Sequence, residues 1–322
     1  MNRHLARTLA VSAAAALTLS LAACGGGNQK DGANGGIAGE VVTDGSSTVQ
    51  PLTAAAGELF AEENPDVNVS VATSGTGGGF EKFCAGETDI SNASREIKTD
   101  EAKEAPACES EGIEFTGLRV ATDALTVVVS KDNDFITCLT VEELKKLWEP
   151  AAEKKVTTWN QVNAKFPAEK IELYGPGTDS GTFDYFTKEI NGEEGASRSD
   201  YNASEDDNVL VNGVEGSANA LGYFGYTYFE ENSEKLKAVE IDGGDGCVAP
   251  DIETAQDGSY APLSRPLFVY VNNDAYAKKK QVAAFIDFYV SSNEDIVNAA
   301  KFIPLSEAQT AELGDAHAKL KG

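Results

Sequence analysis

The chain has 322 residues, with 52 acidic side chains against 26 basic ones and a formal net charge of −26. That excess of acid excludes a nucleic-acid binder, which needs a basic footprint. Only two histidines are present, His4 and His317, so most histidine-dependent catalysis and metal binding has little material to work with.

The first 23 residues read as an export signal. Arg3 and Arg7 form a basic start, and Leu9 to Leu21 is an apolar stretch too short and wrongly flanked for a spanning helix. Leu21-Ala22-Ala23-Cys24 then resembles a bacterial lipobox, in which Cys24 becomes the lipidated first residue of the mature chain. Residues 24–39, rich in Gly and Asn, read as a flexible tether. Removing the leader takes away Arg3 and Arg7 and no acid, so the mature body is more acidic still.

Three strand–loop–helix patterns of one chemistry follow. Val41-Val42 leads into Thr43-Asp44-Gly45-Ser46-Ser47-Thr48 and then Leu52, Ala56, Leu59 and Phe60 at helical spacing. Val67, Val69 and Val71 alternate as in a strand and lead into Thr73-Ser74-Gly75-Thr76-Gly77-Gly78-Gly79, with Phe80 and Phe83 beyond. Further on, Ile171 to Tyr174 leads into Gly175-Pro176-Gly177-Thr178-Asp179-Ser180-Gly181-Thr182, followed by Phe183, Phe186 and Ile190. Hydroxyls and flexible backbone at a helix start suit an oxyanion, because the first N–H groups lack internal partners and the dipole end is positive. One such loop could be an ordinary turn; three of the same kind point to a shared anion. Ser91-Asn92-Ala93-Ser94-Arg95 adds a guanidinium beside hydroxyls. Strong acidity does not conflict with an anion site, since exposed charges are screened beyond about 8–10 Å and a buried site works through local dipoles.

Leu118 to Val129 and Pro262 to Val271 read as two crossings between lobes. They divide the chain into a discontinuous lobe I (40–121 and 266–322) and a continuous lobe II (122–265), an α/β architecture that closes around a central cleft by a hinge. Thr140-x-x-Glu143 is a capping box that opens a short helix with Leu144, Leu147 and Trp148 on one face. Tyr223 to Phe229 reads as a buried strand, and Lys278 to Tyr289 as one amphipathic helix whose Lys278-Lys279-Lys280 run is solvated. Cys84, Cys108, Cys138 and Cys247 suggest two disulfides in an exported chain. Of three pairings, Cys84–Cys108 with Cys138–Cys247 is favoured because each pair then lies inside one lobe. No Cys-x-x-Cys spacing suggests a metal, and no cofactor is implied.

Asp44-Gly-Ser-Ser-Thr48, Ser74-Gly-Thr-Gly-Gly-Gly79, Asn92-Ala-Ser-Arg95, Gly175-Pro-Gly-Thr-Asp-Ser-Gly-Thr182 and Ala220-Leu-Gly-Tyr-Phe224 together resemble the phosphate-binding component of bacterial phosphate ABC importers, the PstS family. The resemblance covers essentially the whole mature chain. It implies a two-lobed type II periplasmic-binding fold with two hinge crossings. It also implies high-affinity extracytoplasmic phosphate capture, delivery to a membrane permease, a lipid anchor on the outer face of the cytoplasmic membrane, and a monomer without enzymatic activity. Matching motif to motif places phosphate contacts on Ser47, Thr48, Val49, Ser74, Ser180, Gly181 and Thr182. The chain departs from the family pattern twice: Ser94 stands where the best-known members carry aspartate, and Pro176 where they carry arginine. Arg95 is the substitute cation, with Ser94 beside it, and Asp179 or Asp207 the substitute acid. Rival readings are a receptor for sulfate, molybdate or tungstate on the same fold, a sensor or adhesin without transport, and a serine hydrolase built on Asp179-Ser180-Gly181. The hydrolase lacks a histidine base, since His4 leaves with the leader and His317 lies in a polar tail, and nothing supports the alternative Ser–Lys arrangement.

Overall fold

The structure, a computed structural model, describes residues 36–100, 103–178 and 180–321. The leader, Cys24, most of the tether and Asp179 lie outside the described residues. In chain order the described strands are β1 (Gly39–Gly45), β2 (Val67–Val71), β3 (Ile90–Ala93), β4 (Phe115–Ser130), β5 (Cys138–Thr140), β6 (Glu172–Gly175), β7 (Asn202–Ala203), β8 (Ala220–Gly225), β9 (Leu236–Ala238), β10 (Glu240–Asp242), β11 (Cys247–Val248) and β12 (Ser264–Asn272).

The long crossings organise this set. β4 and β12 pair antiparallel from Phe115↔Asn272 to Ala124↔Ser264, with an irregularity at Leu267/Phe268. On one side β12 passes to β3, β1 and β2, and on the other β4 passes to β8, β6 and β7, with β9 also on β4. β1 is parallel to β2 and β3, and β6 is parallel to β8, as helical connections between strands require. From Val120 to Ser130 every residue of β4 is buried, so it reads as a continuous run and not an alternating one. Its partners change at Ala124/Leu125, from β12 to β8.

The two largest apolar clusters fall on either side of that point. One gathers Val41, Leu52, Phe60, Leu118, Leu267, Phe285 and Leu313, among others. The other gathers Leu125, Leu144, Trp148, Trp159, Phe186, Tyr223 and Leu263. Helix Gln50–Glu63 exists because Leu52, Ala56 and Phe60 share one face; Phe60 packs edge-on to Phe285 at 5.5 Å. Trp148 meets Tyr201 and Tyr223 at centroid distances of 5.3 and 4.9 Å. Phe186 stacks on Tyr223 at 3.8 Å, which fixes the helix following the fourth loop.

Cys84 is bonded to Cys108 and Cys138 to Cys247, the pairing favoured from the sequence. The second bridge ties β5 to β11 in the small sheet β11-β10-β5. Thr140 and Glu143 form the expected capping box, with Leu144, Leu147 and Trp148 buried.

Three local expectations are corrected. The aromatic run is a strand only to Gly225, and Tyr226–Glu231 is a helix because Gly225 turns the chain there. The stretch from Lys278 is two helices, Asn273–Lys278 and Lys280–Ser291, broken at Lys279, whose backbone is extended. Lys279 is not merely solvated, since its Nζ lies 2.6 Å from Oδ1 of the buried Asp89.

Candidate functional site

The first loop is set by backbone that only glycine permits. Gly45 closes β1 at φ +138°, and a Cβ there would lie 2.1 Å from the Asn92 carbonyl oxygen. The Ser46 N–H donates to that same oxygen at 2.9 Å, so β3 fixes the direction in which Ser46-Ser47-Thr48 leaves the sheet. Helix Gln50–Glu63 starts directly after Val49, with Pro51 in its first turn, where no N–H partner is required.

The second loop is braced to the first through Asp44. The Gly45 N–H donates to Asp44 Oδ1 at 2.7 Å, the Ser74 hydroxyl donates to it at 2.8 Å, and Lys82 pairs with Oδ2. Burial alone would push the Asp44 carboxyl up, but the bonds from Lys82, Ser74 and Gly45 outweigh it and hold it below its ordinary value. Ser74 then opens helix Gly75–Cys84, and Gly79 of that helix passes so close that a Cβ would come within 2.4 Å of the Gly45 Cα. In the third segment, Ser94 N–H donates to Thr76 Oγ1 at 3.2 Å, and the two hydroxyls lie 3.1 Å apart.

The fourth loop leaves β6 and ends in a capped turn. Ser180 Oγ accepts from Thr182 N–H at 3.2 Å and opens helix Gly181–Phe186. A Cβ on Gly181 would stand 3.2 Å from both N and Oγ1 of Thr48, so the first and fourth loops meet without an intervening side chain.

These loops enclose a cavity of about 710 Å³ whose wall includes Ser46, Ser47, Thr48, Ser74, Ser94, Arg95, Gly181, Asp184, Tyr185 and Arg265. Of the residues expected from the sequence, Ser47, Thr48, Ser74, Ser94, Arg95 and Gly181 are brought together there. Ser180 caps the adjoining helix, and Val49 is wholly buried at the start of helix Gln50–Glu63. Thr182 and Asp207 instead line a neighbouring cavity of about 480 Å³, together with Asp123, Tyr226, Tyr228 and Lys301. Burial, reinforced by Asp206 and Glu205, pushes the Asp207 carboxyl up to about 6.

Arg95 is placed as expected but already has a carboxylate. Its Nη2 and Nη1 reach Glu104 at 2.7 and 3.3 Å, and Nη1 also donates to the Glu96 carbonyl at 3.0 Å. A second guanidinium, Arg265 on β12, was given no role from the sequence beyond its place in a crossing. Its Nε donates to Asp123 Oδ2 at 3.1 Å, and its Nη2 donates to Thr48 Oγ1 at 2.6 Å. Its central carbon lies 3.4 Å from the centre of the Tyr185 ring. Burial pushes the Asp123 carboxyl up, against the pull of Arg265. Asp184, in the first turn after Ser180, is likewise raised, first by burial and then by Glu194, with Arg265 opposing. A sequence signal existed for this pair: an acid in one mainly apolar crossing and a base in the other need partners to be buried, although Arg119 beside Asp123 offered a nearer candidate.

Among the described residues no histidine joins Ser180. His317 lies in helix Glu307–Lys321, where its Nε2 is 2.6 Å from Asp287 Oδ1, and neither residue lines the cavity.

A family model described as the PBP superfamily domain matches residues 31–293. A protein named SphX from Synechocystis sp. is 47% identical over 267 residues, covering 83% of this chain and 79% of that protein. A phosphate-binding protein PstS from Staphylococcus saprophyticus is 42% identical over 296 residues, covering 92% of this chain and 89% of the relative. Among solved structures, a possible phosphate binding protein from Planctomyces limnophilus is 44% identical and superposes with a TM-score of 0.83, covering 89% of this chain and all of that one.

Proposed function

The chain belongs to the PBP superfamily and, within it, to the family of PstS phosphate-binding proteins; from that premise we propose that it is the high-affinity extracytoplasmic receptor that captures inorganic phosphate and delivers it to an ABC importer. The observation that carries this reading is the convergence of three helix-opening loops on one cavity, with Ser47, Thr48, Ser74 and Gly181 in its wall. Each loop presents hydroxyls at the start of a helix, and these can surround a tetrahedral oxyanion. The role is binding and not catalysis.

The contacts proposed are Ser47, Thr48 and the Val49 backbone from the first loop, Ser74 and Ser94 from the second and third, and Ser180, Gly181 and Thr182 from the fourth. Ser74 donates its hydroxyl to Asp44 here, so its contribution to phosphate is as an acceptor of the ligand's own O–H or through its neighbours' N–H groups. Arg95 is a cation at the cavity, able to engage phosphate on leaving Glu104. Asp179 or Asp207 accepts the phosphate proton. At neutral pH phosphate keeps a proton and sulfate has none, so a buried carboxylate accepts from one ligand and repels the other. Sites built around a ligand hydroxyl reject analogues lacking it by roughly 10⁴–10⁵.

Lobe I is proposed to span 40–121 and 266–322 and lobe II 122–265, a division supported by the two apolar clusters. Among the described residues no helix is long and apolar enough to cross a membrane. Membrane attachment is assigned to lipid on Cys24 from the Leu21-Ala22-Ala23-Cys24 pattern, with residues 24–39 as tether and a monomer as the docking form. Loss of labelled fatty-acid incorporation and release into the medium on Cys24→Ser would test the anchor.

The deciding experiment is calorimetric titration of the ligand-stripped mature body with phosphate, then sulfate, at pH 7. Micromolar or tighter phosphate binding with sulfate silent is expected. Binding of sulfate, molybdate or tungstate in place of phosphate would retain the fold and replace the ligand.

A further inference from the structure

Two guanidinium groups line the cavity, and they are held in opposite ways. Arg95 keeps 34% of its side chain exposed and is engaged twice by Glu104 and once by the Glu96 carbonyl. Arg265 keeps 15% exposed and makes a single-edge contact, through Nε, with Asp123. A guanidinium has five donors in a rigid fork. Glu104 occupies the Nη edge of Arg95, the edge that suits an oxyanion. Asp123 occupies Nε of Arg265, while Nη2 donates to Thr48 in the cavity wall.

The surroundings of Arg265 also link the two sides of the site. Thr48 belongs to the first loop, whereas Tyr185 lies in the helix opened by the fourth. Tyr185 is itself fixed, because its hydroxyl donates to the Pro262 carbonyl at 2.7 Å. Ring and carboxylate therefore hold the guanidinium plane before any ligand arrives. Preorganisation of this kind matters for a side chain with much rotamer freedom to lose.

We propose that Arg265 on β12, positioned by Asp123 and Tyr185, is the fixed cation that binds the oxyanion, and that Arg95 is an accessory charge at the rim. The assignment rests on the phosphate-receptor reading and gives a cation to a chain whose fourth motif has Pro176 where an arginine would be expected. It also explains how a strongly acidic protein holds an anion. A guanidinium that is mostly buried is little screened by salt, and Asp123 offsets the cost of burying it while the site is empty.

Phosphate titration of the wild type and five variants tests this. Arg265→Gln removes two charge-assisted bonds and is expected to weaken binding by about 100-fold or more. Arg95→Gln is expected to weaken binding by at most about tenfold, clearly less than Arg265→Gln, because Glu104 already engages its guanidinium. Asp123→Asn keeps an oxygen for Nε and should retain most of the affinity, while Asp123→Ala should lose about tenfold, a rescue that a purely structural role would not produce. If circular dichroism shows Arg265→Gln unfolded, Arg265→Lys decides: it keeps the charge without the fork, and about a tenfold loss is expected. Wild-type affinity in either Arg265 variant, or a larger loss in Arg95→Gln, overturns the assignment. A wild type that does not bind phosphate instead overturns the functional reading beneath it.

Discussion

The first and fourth loops reach the same cavity by different routes. The first is braced from outside itself: Asp44 gathers Gly45, Ser74 and Lys82, and Asn92 on β3 receives Ser46 N–H. The fourth is braced by its own turn, with Ser180 N–H on the Gly177 carbonyl, Asp184 N–H on the Ser180 carbonyl and the Ser180 cap, and by the following segment, with Tyr201 O–H on the Pro176 carbonyl at 2.8 Å and Ser204 N–H on the Gly175 carbonyl at 3.2 Å. Long-range bonds between strands hold half of the site in place without ligand, while a short capped helix presents the other half. A receptor that closes by a hinge needs one side to receive the anion and the other to arrive on it.

The largest test is at Gly45. Gly45→Ala combines a left-handed φ with a Cβ 2.1 Å from the Asn92 oxygen, so backbone must move. The expected loss is about 3 kcal/mol or more, read as a lower urea midpoint. Unchanged stability would mean that the first loop is not held as rigidly as the comparison requires.

Asp44→Ala comes next. It leaves the Gly45 N–H, the Ser74 hydroxyl and Lys82 without their acceptor, for a loss of about 2 kcal/mol and weaker phosphate binding. The sign with pH is fixed. The Asp44 pKa is depressed in the folded state, so its stabilisation is fully present above the unfolded value of 3.8 and drains away as pH falls through the lower folded value. The gap between wild type and variant should therefore start to narrow below pH 3.8 and close only below the lower folded value. A gap that persists in strong acid would place the effect in packing and not in charge.

Gly181→Ala sharpens the contrast from the other side. A Cβ there meets Thr48 N and Oγ1 at 3.2 Å, tight but tolerable. Stability should stay within about 0.5 kcal/mol of wild type while phosphate affinity falls about tenfold, because the fourth loop is kept from closing on the first. Equal loss of stability and affinity would remove the distinction between a braced side and an arriving one.

Much of this contrast is readable in the sequence. The glycines and hydroxyls after Val42, Val71 and Tyr174 mark the three loops, and the apolar runs around Val127 and Val269 mark the crossings. Hydrophobic spacing also finds the faces of helix Gln50–Glu63 and of the capped helix at Thr140. What local pattern does not carry is partnership. Asp44 and Lys82 are 38 residues apart, and nothing local tells that this lysine closes the network. Arg265 and Thr48 are 217 apart, so Arg95, beside its serine, looks the better cation until the register of β4 against β12 brings Arg265 to Asp123. The end of the strand at Gly225 is hidden for a related reason: aromatic residues suit strands and buried helices alike.

The smallest test concerns Asp207, which shares the neighbouring cavity with Asp123 and Thr182. Its pKa rises to about 6 in the folded state from an ordinary value of 3.8, through burial and then Asp206 and Glu205. A raised acid pKa means that the folded state holds the proton more tightly, so the group reduces stability as pH climbs from 3.8 to about 6 and remains unfavourable above that. Asp207→Asn should flatten stability across this window and raise it at pH 7 by about 1 kcal/mol, discounted for partial exposure. If Asp207 also accepts the phosphate proton, the same variant loses discrimination against sulfate. A gain in stability with selectivity intact would separate the two effects and leave Asp179, directly before Ser180, as the acid to replace next.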